Sequence, residues 1–184
     1  MISSVLIQLP EWVDDYVSSR GSWFPSVEDR MLFVCELARR NVEMKTGGPF
    51  GAGVFDSTGN LVAVGVNRVE PLGVSIAHAE IVALSLAQGL LGTYDLGTRG
   101  NFELVTSTEP CAMCLGAVPW SGIRRVICGA RDQDARAVGF DEGDKPDSWK
   151  EKLERRGIVV QVDVCRDVAM EVLREYVRRG GEIY

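Results

Sequence analysis

Residues 102–130 read FELVTSTEPCAMCLGAVPWSGIRRVICGA. Phe102 to Ser107 is a β-like run, and Arg124 to Ala130 is another. Thr108-Glu109-Pro110 between them is a helix start, because proline is tolerated in the first turn. Strand, helix and strand in this order predict parallel pairing through a right-handed crossover. Upstream, Phe50 to Asp56 and Leu61 to Arg68 flank the hairpin turn Ser57-Thr58-Gly59-Asn60. Ser26 with Asp29 forms a helix N-cap pair ahead of Met31, Val34, Cys35, Ala38 and Val42, which recur at helical spacing. Gly47-Gly48-Pro49 stops that helix. Ile81 to Leu91 carries no charged residue, which predicts a helix buried on all sides. Gly157 to Val162 is a further strand, and Arg166 to Arg179 is a charged amphipathic helix. The alternation predicts an α/β protein: a three-layer α/β/α sandwich around a mixed sheet. Residues 130–150, polar and turn-rich, are expected to be a functional or mobile loop.

A length of 184 residues predicts one domain, with residues 1–25 as an N-terminal extension whose apolar residues pack on the body. The net charge of −6 argues against a nucleic-acid partner. No apolar run approaches the roughly 18 residues a membrane span needs. Met1 to Trp12 lacks the basic flank of a secretory signal, so the expected location is the cytoplasm. Five cysteines, an odd number, fit a reducing compartment better than a disulfide framework. Cys35, Cys128 and Cys165 read as small buried hydrophobes.

One constellation carries chemistry. His78, the single histidine, opens the uncharged helix as His78-Ala79-Glu80, and Pro110-Cys111-Ala112-Met113-Cys114 opens the next. This H-x-E…P-C-x-x-C arrangement is the signature of zinc nucleobase deaminases. Cys111 and Cys114, three apart, share one helical face near a positive dipole end that favours thiolate. His78 supplies a neutral third ligand. Three protein ligands leave a fourth position open, the arrangement of a catalytic rather than a structural zinc. Glu80 is placed across the metal as a proton shuttle.

With these motifs, and with Gly48-Pro49-Phe50-Gly51-Ala52, Gly65-Val66-Asn67 and Leu115-Gly116-Ala117, the sequence resembles the cytidine deaminase-like superfamily, most closely the bacterial guanine deaminases. The resemblance covers roughly residue 28 to the C-terminus. It implies a five-stranded mixed sheet and hydrolysis of guanine to xanthine and ammonia. It implies that Asn67 and Ala79 bind substrate, and that Trp120 stands near the base pocket. Phe50 either packs on the base or fills the core. Gly139-Phe140-Asp141-Glu142 matches a segment holding a second catalytic carboxylate. Glu142 is in register, Asp141 is one position before it, and the family often has aspartate there. The resemblance further implies a homodimer with exchanged C-terminal segments (about 165–184), Tyr184 closing the neighbour's pocket. Guanine-like s-triazines such as ammeline are expected side substrates. The rival readings are a deaminase of guanosine, cytosine or tRNA adenosine, and a non-catalytic zinc-binding module.

Overall fold

The computed structural model describes residues 5–184, so the first four residues of the extension lie outside it. The elements, in chain order, are α1 (Trp12–Arg20), α2 (Val27–Glu43), β1 (Gly51–Asp56), β2 (Leu61–Val66), α3 (Val69–Leu72), α4 (Ala79–Leu91), β3 (Phe102–Thr108), α5 (Ala112–Ser121), β4 (Arg125–Ala130), α6 (Asp132–Ala137), α7 (Trp149–Glu154), β5 (Val159–Gln161) and α8 (Arg166–Arg178). The sheet order is β2-β1-β3-β4-β5. β1 is antiparallel to β2 and β3, while β3, β4 and β5 run parallel. The five-stranded mixed sheet is the expected one.

Strand alternation divides the core in two. Val105 and Ile127 face α2 and α8, whereas Leu104 and Val126 face α4, α5 and α7. All four are fully buried, and each such side chain contributes roughly 1.5–3 kcal/mol relative to exposure. The Ser26–Asp29 pair forms a reciprocal capping box: the Asp29 amide donates to Ser26 Oγ at 3.0 Å and the Ser26 amide donates to Asp29 Oδ2 at 3.3 Å. The extension docks through α1, whose Val13 and Tyr16 are buried, and through Trp12 Nε1, which donates to Thr46 Oγ1 at 3.0 Å.

α4 seats on β2 at backbone distance. A Cβ on Gly65 would overlap the Ala79 carbonyl and stand 2.6 Å from the Ala83 amide nitrogen. Only a residue without a side chain lets the start of α4, and His78 with it, approach so closely.

Two expectations need correction. α4 is not buried all round: Leu86 is 38% and Leu90 70% exposed. An uncharged helix shows no polar face even where one face meets solvent or another molecule. Residues 130–150 are not one loop, because α6 and the start of α7 lie within them. The cluster Arg131-Asp132-Gln133-Asp134 is a helix N-terminus, with Asp134 Oδ2 accepting from the Arg131 amide and Arg136 pairing back to Asp132. Within the single chain, the C-terminal segment packs against the body. Gly180 turns the backbone at φ +73°, Gly181 packs on the Tyr176 ring, and Tyr176 Oη donates to the Glu182 carbonyl at 2.7 Å. Cys35 and Cys128 are buried as expected; Cys165 is half-buried.

Candidate active site

Two helix N-termini meet on one face of the sheet. His78 is the N-cap of α4 and Cys111 the N-cap of α5, both with extended backbone (ψ 153° and 173°). An N-cap side chain ordinarily accepts from the first-turn amides. Neither of these does. Instead, Cys111 Sγ and His78 Nδ1 face each other at 3.5 Å. With Cys114 Sγ, their ligand atoms all lie within 4.8 Å of one another, and no other such His/Cys/Asp/Glu group occurs among the described residues. Tetrahedral zinc with bonds of roughly 2.0–2.3 Å needs ligand atoms about 3.3–3.8 Å apart. The donor set and its spacing therefore fit the metal.

The electrostatics agree with thiolate ligation. A hydrogen bond from the Cys114 thiol and the neighbouring His78 pull the Cys111 thiol down to about 4, against burial. Cys114 is pushed up, chiefly because it supplies that shared proton. Glu80, in the first turn of α4, is buried; burial and the Cys111 charge raise its carboxyl. Glu142 is also buried, and desolvation with the charges of Cys111 and Glu80 lifts it to about 8. Its carbonyl accepts from the Ala112 amide at 2.9 Å, which ties it to the start of the cysteine helix. Asp141 does not share that place. Its side chain is exposed, with Oδ1 accepting from the Gly143 amide at 2.8 Å.

The neighbouring wall is built from the other expected residues. Asn67 ends the hairpin and is buried; its Oδ1 accepts from the Val69 amide at 3.1 Å, while Nδ2 is buried with no partner. Tyr184 Oη is buried beside it, with no partner other than Asn67 among the described residues. Phe50 packs edge-on against Phe140 at 4.9 Å, and Phe140 against Tyr184 at 5.6 Å. So Phe50 belongs to an aromatic cluster that includes the tail. The Ala79 methyl is buried in the core beneath α4.

Trp120 departs from expectation. It is 84% exposed and lines a groove with Ile81, Leu84, Ser85, Gln88 and Ala117. On α5 the buried face runs through Cys114, Val118 and Ser121. Six residues past Cys114, helical rotation turns Trp120 to the other side. Sequence reasoning also passed over Lys145, whose ammonium is 3.0 Å from Glu109 Oε2 with both side chains buried. Glu109 stood inside the Thr-Glu-Pro-Cys motif, but a lone lysine in a polar stretch carries no signal of burial.

The profile of the cytidine and deoxycytidylate deaminase zinc-binding region matches residues 26–130. The chain belongs to this family. Zinc is the metal of the family, and His78, Cys111 and Cys114 are positioned to bind a metal ion. Guanine deaminase of Bacillus subtilis is 42% identical over 106 residues, which are 58% of this chain and 65% of that protein. The chain thus matches just under two thirds of that relative. The structure of guanine deaminase from Nitrosomonas europaea is similar with a TM-score of 0.89 at 47% identity, covering 96% of this chain and 97% of that one. The structure of NE0047 in complex with 2,6-diaminopurine has a TM-score of 0.92 at 47% identity, covering 100% and 98%.

Proposed function

We propose that this chain hydrolyses guanine to xanthine and ammonia. The observation that carries the reading is the pair of buried carboxylates, Glu80 and Glu142, flanking one histidine–dicysteine cluster. Near-complete structural coverage by a guanine deaminase supports the substrate class. Zinc held by His78, Cys111 and Cys114 supplies Lewis acidity toward water. Glu80 takes a proton from the attacking water and passes it to the ring nitrogen of the base. Glu142 delivers a proton to the departing amine and takes one back from the hydroxyl on C2 as the C–N bond breaks, so that water's oxygen replaces nitrogen as the C2 carbonyl and ammonia leaves. Two buried acids with separate tasks suit a reaction that must protonate a poor leaving group. The unpaired Asn67 amide is a donor available to an acceptor on the base. An unmet buried donor costs about 1–3 kcal/mol, which a bound acceptor removes.

The assembly we infer is a homodimer formed through the apolar face of α4 and α5. Leu90 (70% exposed), Trp120 (84%) and Tyr94 (86%) support this. Among the described residues no helix is long and apolar enough to cross a membrane. The free cysteines support the cytoplasm as the location. The deciding experiment pairs metal analysis with ammonia release from guanine, adenine, cytosine, guanosine and a tRNA anticodon stem. About one zinc per chain with guanine fastest is the expected result. Another substrate outrunning guanine overturns the substrate, and no ammonia from any of them leaves the non-catalytic zinc module.

A further inference from the structure

We infer that Lys145 is a positioning residue that clamps the Glu142 loop onto the cysteine helix; the inference rests on the role given to Glu142 above. The loop runs from the end of α6 at Ala137 to the start of α7 at Trp149, and Glu142 lies in its first half. Three contacts pin it. The Glu142 carbonyl accepts from the Ala112 amide, immediately after Cys111. The Gly143 carbonyl accepts from Arg136 at 2.7 Å and from the Lys145 amide at 2.9 Å, closing a tight turn. The third contact comes from the Lys145 side chain, only 5% exposed, which passes back to Glu109 at 3.0 Å and stands 3.7 Å from Asp132. Its ammonium also lies 4.5 Å from the centre of the Trp149 ring.

The partners of Lys145 belong to the rigid part of the site. Glu109 is two residues before Cys111, and its amide donates to the Ala130 carbonyl at 2.8 Å. Its Oε2 also accepts from the Asp132 amide at 3.3 Å. One ammonium thus joins the strand ends that carry the cysteines to the loop that carries the second acid. Removing it would leave the buried Glu109 carboxylate without a counter-charge, while Asp132 keeps Arg136 at 2.7 Å. The loop would then keep only its ties at the Glu142 and Gly143 carbonyls. A proton donor displaced by an ångström or so loses much of its effectiveness, whereas binding of the base, made elsewhere, is spared.

The test uses zinc-loaded full-length protein carrying Lys145→Met, with Lys145→Arg as the conservative variant. The first readout is amide hydrogen exchange over residues 139–148, which needs no substrate. We expect Lys145→Met to speed exchange there by roughly tenfold or more, with the β3 and β4 amides and zinc content unchanged and with Lys145→Arg near wild type. The second readout is steady-state kinetics on guanine, where kcat should fall about tenfold or more with KM little changed. Unaltered loop exchange in Lys145→Met overturns the clamp, as does a loss spread evenly through the sheet or one that Lys145→Arg fails to restore. Faster loop exchange with a normal kcat overturns the link to Glu142. Should wild-type protein release no ammonia from guanine, the functional reading fails, and the exchange data still decide whether Lys145 holds the loop.

Discussion

The Tyr184 hydroxyl fills the space that a side chain on Gly48 would need: a Cβ there would overlap the phenol oxygen and stand 3.3 Å from Asn67 Oδ1. The C-terminal residue is therefore fitted against a glycine in the turn between α2 and β1, beside the substrate-binding asparagine proposed above. Gly48→Ala should unseat the tail while leaving the sheet intact. We expect kcat/KM for guanine to fall about tenfold, or ~1.4 kcal/mol, with little change in Tm. Deleting residues 182–184 should have a similar effect, since a closed site excludes water. Unchanged kinetics in both variants would refute the tail as a lid.

Zinc should report on folding as well as on catalysis. Cys111→Ala or Cys114→Ala should lose bound zinc and activity together, because each removes one of only three protein ligands. Metal that binds the folded state alone stabilises it by about 2.7 kcal/mol at a hundredfold excess over Kd. At roughly 2–4 °C per kcal/mol for a chain of this size, stripping zinc should lower Tm by about 5–11 °C. Calorimetry with and without chelator measures this, and either cysteine variant retaining full zinc would sink the ligand set.

The two carboxylates should separate from their neighbours. Glu80→Gln and Glu142→Gln are each expected to keep zinc and lose about 10²–10⁴ in kcat. Asp141→Asn should stay within about twofold of wild type, because its exposed side chain accepts from the Gly143 amide and stands 3.9 Å from Arg136 in solvent. The reverse ranking of the Asp141 and Glu142 variants would move the second acid by one residue.

Features set by near neighbours in sequence were legible. The Ser26–Asp29 box and the hairpin around Gly59 each depend on a few adjacent residues, and the His78-Ala79-Glu80 and Pro110-Cys111-Ala112-Met113-Cys114 motifs are each local, so periodicity and motif spacing reveal them. Legibility ended where placement depends on distant packing. The 180–184 tail folds back because Tyr176 and Phe140 receive it, which no local pattern announces. Trp120 was assigned by family position, yet helical rotation from Cys114 faces it outward. Lys145 became visible only once the fold placed it against Glu109, 36 residues away.

The hairpin turn gives a test of stability against pH. Asp56 Oδ1 accepts from the Thr58 and Asn60 amides at 2.8 and 2.9 Å, and Oδ2 from Asn60 Nδ2 at 2.8 Å. Burial works upward on this carboxyl, but the bonds from Asn60 and Thr58 outweigh it and hold it at about 2. A pKa depressed in the folded state contributes stability above the unfolded value of about 3.9 and loses it as pH falls toward 2. Asp56→Ala should cost about 1 kcal/mol at pH 7. Urea titrations should show the gap from wild type shrinking below about pH 4. A gap that stays constant down to acid pH would mean that the ionised carboxylate does not organise the turn.

Specificity should follow from the two buried groups beside Gly48. Asn67 Nδ2 and Tyr184 Oη are buried and have no partner outside this pair among the described residues; the Asn67 Nδ2 can only donate, so a base that offers it an acceptor gains and one that offers only donors leaves it unmet. Guanine and adenine differ in this sense, because their donors and acceptors are reversed along the edge that carries oxygen in one and the amine in the other. Sites that leave buried polar groups unpaired can discriminate by 10⁴ or more in kcat/KM; we expect a large factor against adenine, and Asn67→Ala should shrink it by lowering activity on guanine. Guanosine should be poor because its ribose meets the seated Tyr184, so the Gly48→Ala variant should gain on guanosine relative to guanine. Cytosine lacks the second ring and fills the space loosely. The s-triazine ammeline keeps the amine and carbonyl of guanine on a smaller ring and should be turned over more slowly. Ammonia release from these five compounds under one condition is the measurement. If adenine matched guanine, or guanosine were unaffected by the tail, recognition would have to come from groups other than Asn67 and Tyr184.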